Sequence, residues 1–207
     1  MEGMDRHQAA SARQRILDAT EQLIIGEGYA AVTVRRVARE AHVAPTLVQY
    51  YFPTLDDLFL AVLRRSSDLE MQRQYAVLDG THPLRALWEF GRDPGTALIT
   101  EFMALANHRK TIRAEISKIA EQYRKAQLEF LAANATGEDI ALPGVSPVAL
   151  LVLMTMIARG FMMENSLGVT VGHAEALAAV EDILAAVENR SDPAGTRRDD
   201  EARTAGP

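Results

Sequence analysis

Residues 16–59 read ILDATEQLIIGEGYAAVTVRRVAREAHVAPTLVQYYFPTLDDLF, and their spacing decides the fold. Ile16, Ala19, Thr20 and Leu23 recur at i, i+3, i+4 and i+7, one face of a helix that Leu17 and Ile24 widen. Ser11 and Gln14, three apart, have the form of a capping box and predict the start of this helix. Gly26 and Gly28 stop it. Thr33 is the expected N-cap of a second helix, whose apolar stripe is Val34, Val37, Ala38 and Ala41. Arg35, Arg36 and Arg39 stay off that stripe. The chain turns at Ala41-His42-Val43. Pro45 suits the first turn of a third helix, where its missing N–H costs nothing. There Val48 and Phe52 face inward, while Thr46, Gln49 and Tyr50 share the outer face. Three short helices with tight breaks are the layout of a helix-turn-helix, whose second helix enters the DNA major groove.

On these residues the segment resembles the N-terminal domain of the TetR family of transcriptional regulators. Ile16-Leu17-Asp18-Ala19 matches the family's opening, and Gly28-Tyr29 with Thr33 its Gly-Tyr-x-x-x-Thr. Val37-Ala38 with Ala41-His42-Val43 stands for Ile/Val-Ala-x-x-Ala-Gly-Val. Tyr50-Tyr51-Phe52 is the Tyr-rich end of the recognition helix, and Leu58 the leucine that follows it. No single piece is specific; the spacing across three helices is. The resemblance implies an all-α chain, with a three-helix DNA-binding domain over 8–53 and a helical effector-binding and dimerisation domain over 54–189. It implies DNA contacts from Thr33, Arg35, Arg36, Pro45, Thr46, Gln49, Tyr50 and Tyr51, and a homodimer on a double-stranded operator. Two departures point to weaker or more specialised DNA binding. The family's turn glycine is His42, and the lysine that opens its fourth helix is Leu55. Asp56 and Asp57 suit the dipole of that helix but repel DNA, while its N-terminus still offers N–H groups to a phosphate.

Composition bounds the rest. The chain has 207 residues, enough for a helical body with its own core, and a net charge of −6. Arg6, Arg13, Arg15, Arg35, Arg36 and Arg39 in the head are matched by Glu2, Asp5, Asp18, Glu21, Glu27 and Glu40. The positive footprint of a DNA binder is therefore confined to one face. There is no cysteine, hence no disulfide, no thiol nucleophile and no Cys-based metal site. The polar start carries no secretory signal, and the most apolar run, Val148 to Ala158, is too short to span a bilayer. A cytoplasmic location with no membrane partner is expected.

Beyond the head, helical signals continue. Thr54 with Asp57 is a capping box for a long fourth helix reaching about Leu78. Asp93-Pro94 and Ser146-Pro147 begin further helices, and 110–133 is strongly patterned. The segment 147–167 is apolar on nearly all sides, and 171–187 is amphipathic. From Arg190 the composition is that of a disordered tail, 190–207. Glu115, Lys118, Glu121, Arg124 and Lys125 read as a solvated face of i, i+3 and i+4 pairs.

Trp88, Phe102, Met103, Tyr123, Met156 and Met163 are candidate walls of a pocket for a small, mostly apolar effector. Leu151, Met154, Ala158, Met162, Leu177, Val180 and Leu184 are candidate dimer-interface residues on the last two helices. The five histidines are scattered, no Glu-x-x-His pair occurs, and neither a Gly-rich phosphate loop nor a Gly-x-Ser-x-Gly elbow is present. No catalytic residue, metal or cofactor is expected. A ligand-responsive repressor is the leading reading. The alternative is a non-enzymatic helical binding or scaffold protein with a weakened DNA-reading head.

Overall fold

Gly28 closes the first helix at φ +82°, a conformation open to glycine without a Cβ clash. In the computed structural model, which describes residues 2–77, 82–92, 97–134 and 144–191, the chain leaves α1 (Glu2–Glu27) there through a 3-10 turn, Tyr29–Ala31. Then follow α2 (Val34–Glu40), α3 (Pro45–Tyr51), α4 (Leu55–Val77), α5 (Pro83–Gly91), α6 (Ala97–Ala106), α7 (Lys110–Asn134), α8 (Pro147–Ser166) and α9 (His173–Ser191). The described residues hold these nine α-helices and no β-strand, so the fold is all-α as expected.

Helix starts follow their caps. Thr33 Oγ1 accepts from Arg36 N at 3.3 Å and Ser146 Oγ from Ala149 N at 3.2 Å. At α4 the capping box closes both ways: Asp57 N donates to Thr54 Oγ1 at 3.1 Å, and Thr54 N to Asp57 Oδ2 at 3.0 Å. The expected start at Ser11 does not hold. Ser11 lies inside α1, and Gln14 donates to Asp18 one turn on at 3.2 Å. Gly26 is helical as well, so Gly28 alone ends α1. The expected cap at Asp93-Pro94 and nearly all of the 190–207 tail lie outside the described residues, although α9 extends to Ser191.

The chain divides into two units of packing, residues 1–72 with 95–122, and residues 73–94 with 123–207. This is not the division at 53/54 that chain order suggests. The first unit buries Ile16, Val37 and Val48 in one core with Leu58 of α4, Phe102 of α6 and Ile112 of α7. Burying each such side chain contributes about 1.5–3 kcal/mol, so α4 and α6 belong to this core as fully as the short helices do. Phe59 and Phe102 meet edge to face at 6.3 Å.

The second unit buries Leu84, Leu87 and Trp88 of α5 against Leu150, Met154 and Ala158 of α8 and Leu184 of α9. At Gly91 an added Cβ would stand 3.4 Å from the Ala158 methyl, so α5 and α8 approach closely there. Arg85 clamps α5 to α9, donating to Glu188 at 2.6 Å and Glu181 at 2.7 Å. These two carboxylates raise the Arg85 pKa above its ordinary value. Among the described residues α8 is the one helix long and apolar enough to cross a membrane, which the shorter run 148–158 did not suggest. Its face of Leu150, Leu151, Met154 and Ala158 is nevertheless buried in the core of this unit.

Candidate nucleic-acid interface

The turn before α3 sets the site. His42 holds φ +53°, the left-handed conformation that glycine adopts most easily. Its N–H donates to Arg39 O at 3.2 Å, and Val43 N to Ala38 O at 2.9 Å. These two bonds are the Schellman closure of a helix, made here with His in the place of glycine. Ala44 follows in extended conformation, and Pro45 opens α3.

Val48 and Phe52 anchor α3 in the core, at 1% and 4% exposed. Pro45, Thr46, Gln49 and Tyr50 are exposed on the opposite side, Tyr50 at 77%. A tyrosine ring this open is not held by the core that anchors the helix. Tyr51 is half-buried, with its ring edge-on to Tyr50 at 5.3 Å. Thr33 and Arg35 are exposed at the start of α2, although the Thr33 hydroxyl already serves as the cap.

Charges around this edge depart from the sequence reading in three places. Arg36, an expected DNA contact, is paired with Glu27 and half-buried, so its charge is already met. The N-terminus of α4, expected to offer a phosphate its amides, is capped by the chain's own Asp57 carboxylate. Asp56, expected to repel DNA, is paired with Arg109 and accepts from Thr111 Oγ1 at 2.9 Å. Arg13 was not singled out by sequence: its guanidinium lies over the Phe52 ring at 5.4 Å, beside the end of α3.

A second missed residue is Glu101 on α6. Its Oε2 accepts from Tyr29 N at 3.0 Å, and an added Cβ on Gly28 would stand 3.3 Å from the same oxygen. A carboxylate thus fixes the α1–α2 connection from 72 residues away, and no local pattern announces it. Glu115 is likewise no member of a merely solvated face. It binds Arg64 of α4 in a fork at 2.7 and 3.1 Å, and the Arg64 hydrogen bond lowers its pKa.

The six expected effector-wall residues are divided between the two units, Phe102 and Met103 in the first and the other four in the second. Phe102 belongs to the core of the first unit and Trp88 to that of the second. Met103, Met156 and Met163 are exposed at 52%, 47% and 56%, and Tyr123 is half-buried. The expected dimer residues separate too. Leu151, Met154, Ala158, Val180 and Leu184 are buried within this chain, with Leu177 packed beside them and Met162 half-buried. The exposed side of α8 is a different set: Ala149, Leu153, Met156, Met163 and Leu167, with Gly160 among them.

Comparison with known proteins agrees with this geometry. Residues 16–62 match the family model described as bacterial regulatory proteins, tetR family. The HTH-type transcriptional regulator HbdR of Aromatoleum sp. (strain CIB) is 33% identical over 76 residues, 36% of this chain and 33% of that protein. The chain spans between a third and a half of the length of the curated relatives it matches. Among solved structures, a TetR-family transcriptional regulator from Rhodococcus sp. superposes with TM-score 0.66 at 20% identity, over 88% of this chain and all of that one. A transcriptional regulator from Saccharomonospora viridis, in complex with choline, has TM-score 0.64 at 20% identity over 87% and 95%. At these identities the structures speak for the fold.

Proposed function

We propose, from the match of residues 16–62 to the family model described as bacterial regulatory proteins, tetR family, that the chain is a transcriptional repressor of that family. It binds a pseudo-palindromic operator as a dimer and leaves it when a small, mostly apolar effector binds. The observation that carries the DNA-reading role is the outer edge of α3, where Thr46, Gln49 and Tyr50 stand exposed on a helix anchored by Val48 and Phe52. Gln reads adenine through two hydrogen bonds, and the Thr methyl packs on a thymine methyl. Arg35 and Arg13, both exposed, would supply phosphate contacts, which set register without reading sequence.

The dimer is supported by spacing. Ala149, Leu153, Met156, Gly160, Met163 and Leu167 alternate steps of four and three along α8, the repeat of a helix–helix seam. Gly160 has nothing within 4 Å of an added Cβ, which leaves room for a neighbouring helix. A second copy covering this seam would bury side chains that are otherwise about half exposed. This set replaces the buried residues expected from sequence. A body that holds a small ligand is supported by the choline complex of the S. viridis protein, which shares the fold. The helices α4 and α7 are each continuous from one unit into the other, a covalent route between effector and head. A DNA-reading role sets the protein in the cytoplasm.

Mobility shift and footprinting with DNA from upstream of the protein's own coding region test the proposal. Two protected half-sites about 34 Å apart, one helical turn, are expected. Absence of any protected site at low salt would leave the helical scaffold reading.

A further inference from the structure

In chain order the reading helix α3 lies between Tyr29 and Asp56, and both of these residues are held by the same part of the first unit, α6 and the start of α7. On one flank the half-buried Glu101 of α6 accepts from Tyr29 N at 3.0 Å. The neighbouring amides bond locally: Gly28 N to Ile24 O, Ala31 N to Gly28 O and Val32 N to Tyr29 O. Tyr29 N opens the 3-10 turn, and the first donors of a helical turn have no acceptor within it. Its acceptor therefore comes from α6. Gly28 admits that carboxylate, since a Cβ there would stand 3.3 Å from the oxygen and φ +82° would strain any other residue.

On the other flank Asp56, in the first turn of α4, accepts from Thr111 Oγ1 at 2.9 Å and is paired with Arg109. Asp57 closes the capping box of the same helix. Both acids at the start of α4 are thus engaged by the protein, and the segment after α3 is fixed without a phosphate. The holding helices are themselves well anchored. Leu98, Phe102 and Leu105 of α6 are buried in the core. Arg113 Nε donates to Ala106 O at 3.1 Å, joining α7 to the end of α6, and Glu115 binds Arg64 farther along α4.

We propose that Glu101 and Asp56 are positioning residues for DNA reading, holding the two flanks of α3 so that the helix meets the groove already ordered. This rests on the reading of α3 as the DNA-reading helix and adds what orients it. Neither carboxylate acts by touching DNA. Order present before binding is no cost of binding; without it the same contacts form only as the segment is fixed.

Charge alone gives the opposite sign. Removing a carboxylate from a DNA-binding domain relieves its repulsion of phosphates and should strengthen binding. Positioning predicts that Glu101→Ala and Asp56→Ala each weaken binding about tenfold, on the duplex that the native full-length chain selects from random sequence. Contacts are remade in the complex, so base preference and the salt dependence of Kd stay native, whereas Arg35→Ala should lower the salt slope by about 1. Glu101→Gln keeps an acceptor for Tyr29 N and should retain most of the affinity. Thr111→Val keeps shape without the hydroxyl and should lose about threefold. Binding is measured at a temperature where thermal melts show each variant folded, so that lost stability does not register as lost affinity. In the free protein, hydrogen exchange followed by NMR should find the Tyr29 amide protected in the native chain and in Glu101→Gln, and open in Glu101→Ala.

Folded alanine variants that bind as tightly as the native chain, or more tightly, would overturn the positioning role. So would a Glu101→Gln variant no better than Glu101→Ala, an unchanged Thr111→Val, or a Tyr29 amide that exchanges in the native chain as fast as an exposed one. A native chain that selects no duplex, with its Tyr29 amide protected, would instead defeat the reading of α3 itself and the positioning role with it.

Discussion

The two units differ in how their exposed apolar side chains are arranged. Both pair arginines with carboxylates: in the first Arg65 with Asp18 and Glu21, Arg64 with Glu115, Arg109 with Asp56 and Arg36 with Glu27, in the second Arg85 with Glu181 and Glu188. In the first unit the exposed large apolar side chains, Ile25, Tyr50, Leu69 and Met103, stand singly on four different helices, whereas in the second Leu153, Met156 and Met163 repeat along one side of α8. Single exposed side chains need no partner, but a repeating seam is the surface a second copy of the chain would cover.

The two faces of α8 and α9 give the largest expected effect. Leu184 is fully buried, and Leu184→Asp places an unpaired charge in the second core. It should cost about 3–5 kcal/mol and yield unfolded or insoluble protein in thermal melts. Met156→Asp, on the exposed side, should instead keep the melting behaviour of the isolated chain and sediment as a monomer. A dimeric Met156→Asp would break the contrast between the faces.

Phe102 separates core from ligand wall in the first unit. Phe102→Ala should cost about 3–5 kcal/mol, with DNA affinity falling as stability does. An unchanged melting temperature with a lost effector response would return Phe102 to the ligand wall. Thr33→Ala removes one cap hydrogen bond and should cost about 1 kcal/mol by denaturant titration.

The smallest effect concerns the paired charges. The folded-state pKa of Glu115 is lowered by Arg64. Its contribution is therefore present above the ordinary carboxylate value and is lost as pH falls through the lowered one. Arg64 is more than half exposed, so solvent screens the pair and the contribution stays under about 1 kcal/mol. Glu115→Gln should abolish that part of the acid sensitivity and leave stability above neutral pH only slightly lower.

What could be read from sequence acts over three or four residues. Thr33, Thr54 with Asp57, and Ser146 announce helix starts because a cap closes on its own first turn. Pro45 and His42 do the same for the turn before α3. Ser11 with Gln14 has the same form and failed, since the chain is already helical before it. The pairings Arg36–Glu27 and Glu101–Tyr29 were not legible, because nothing nearby in sequence selects the partner. The orientation of α8 was not legible either. Leucine and methionine occupy both its sides, so composition alone could not tell the buried face from the seam.

The central claim is that α3 reads bases through Gln49, and binding-site selection from random duplexes tests it most directly. The native chain should recover a pseudo-palindrome. Gln49→Ala should lose about 1–3 kcal/mol on that site and relax one base position in each half. A Gln49→Ala variant that recovers the same site with the same affinity would contradict the account.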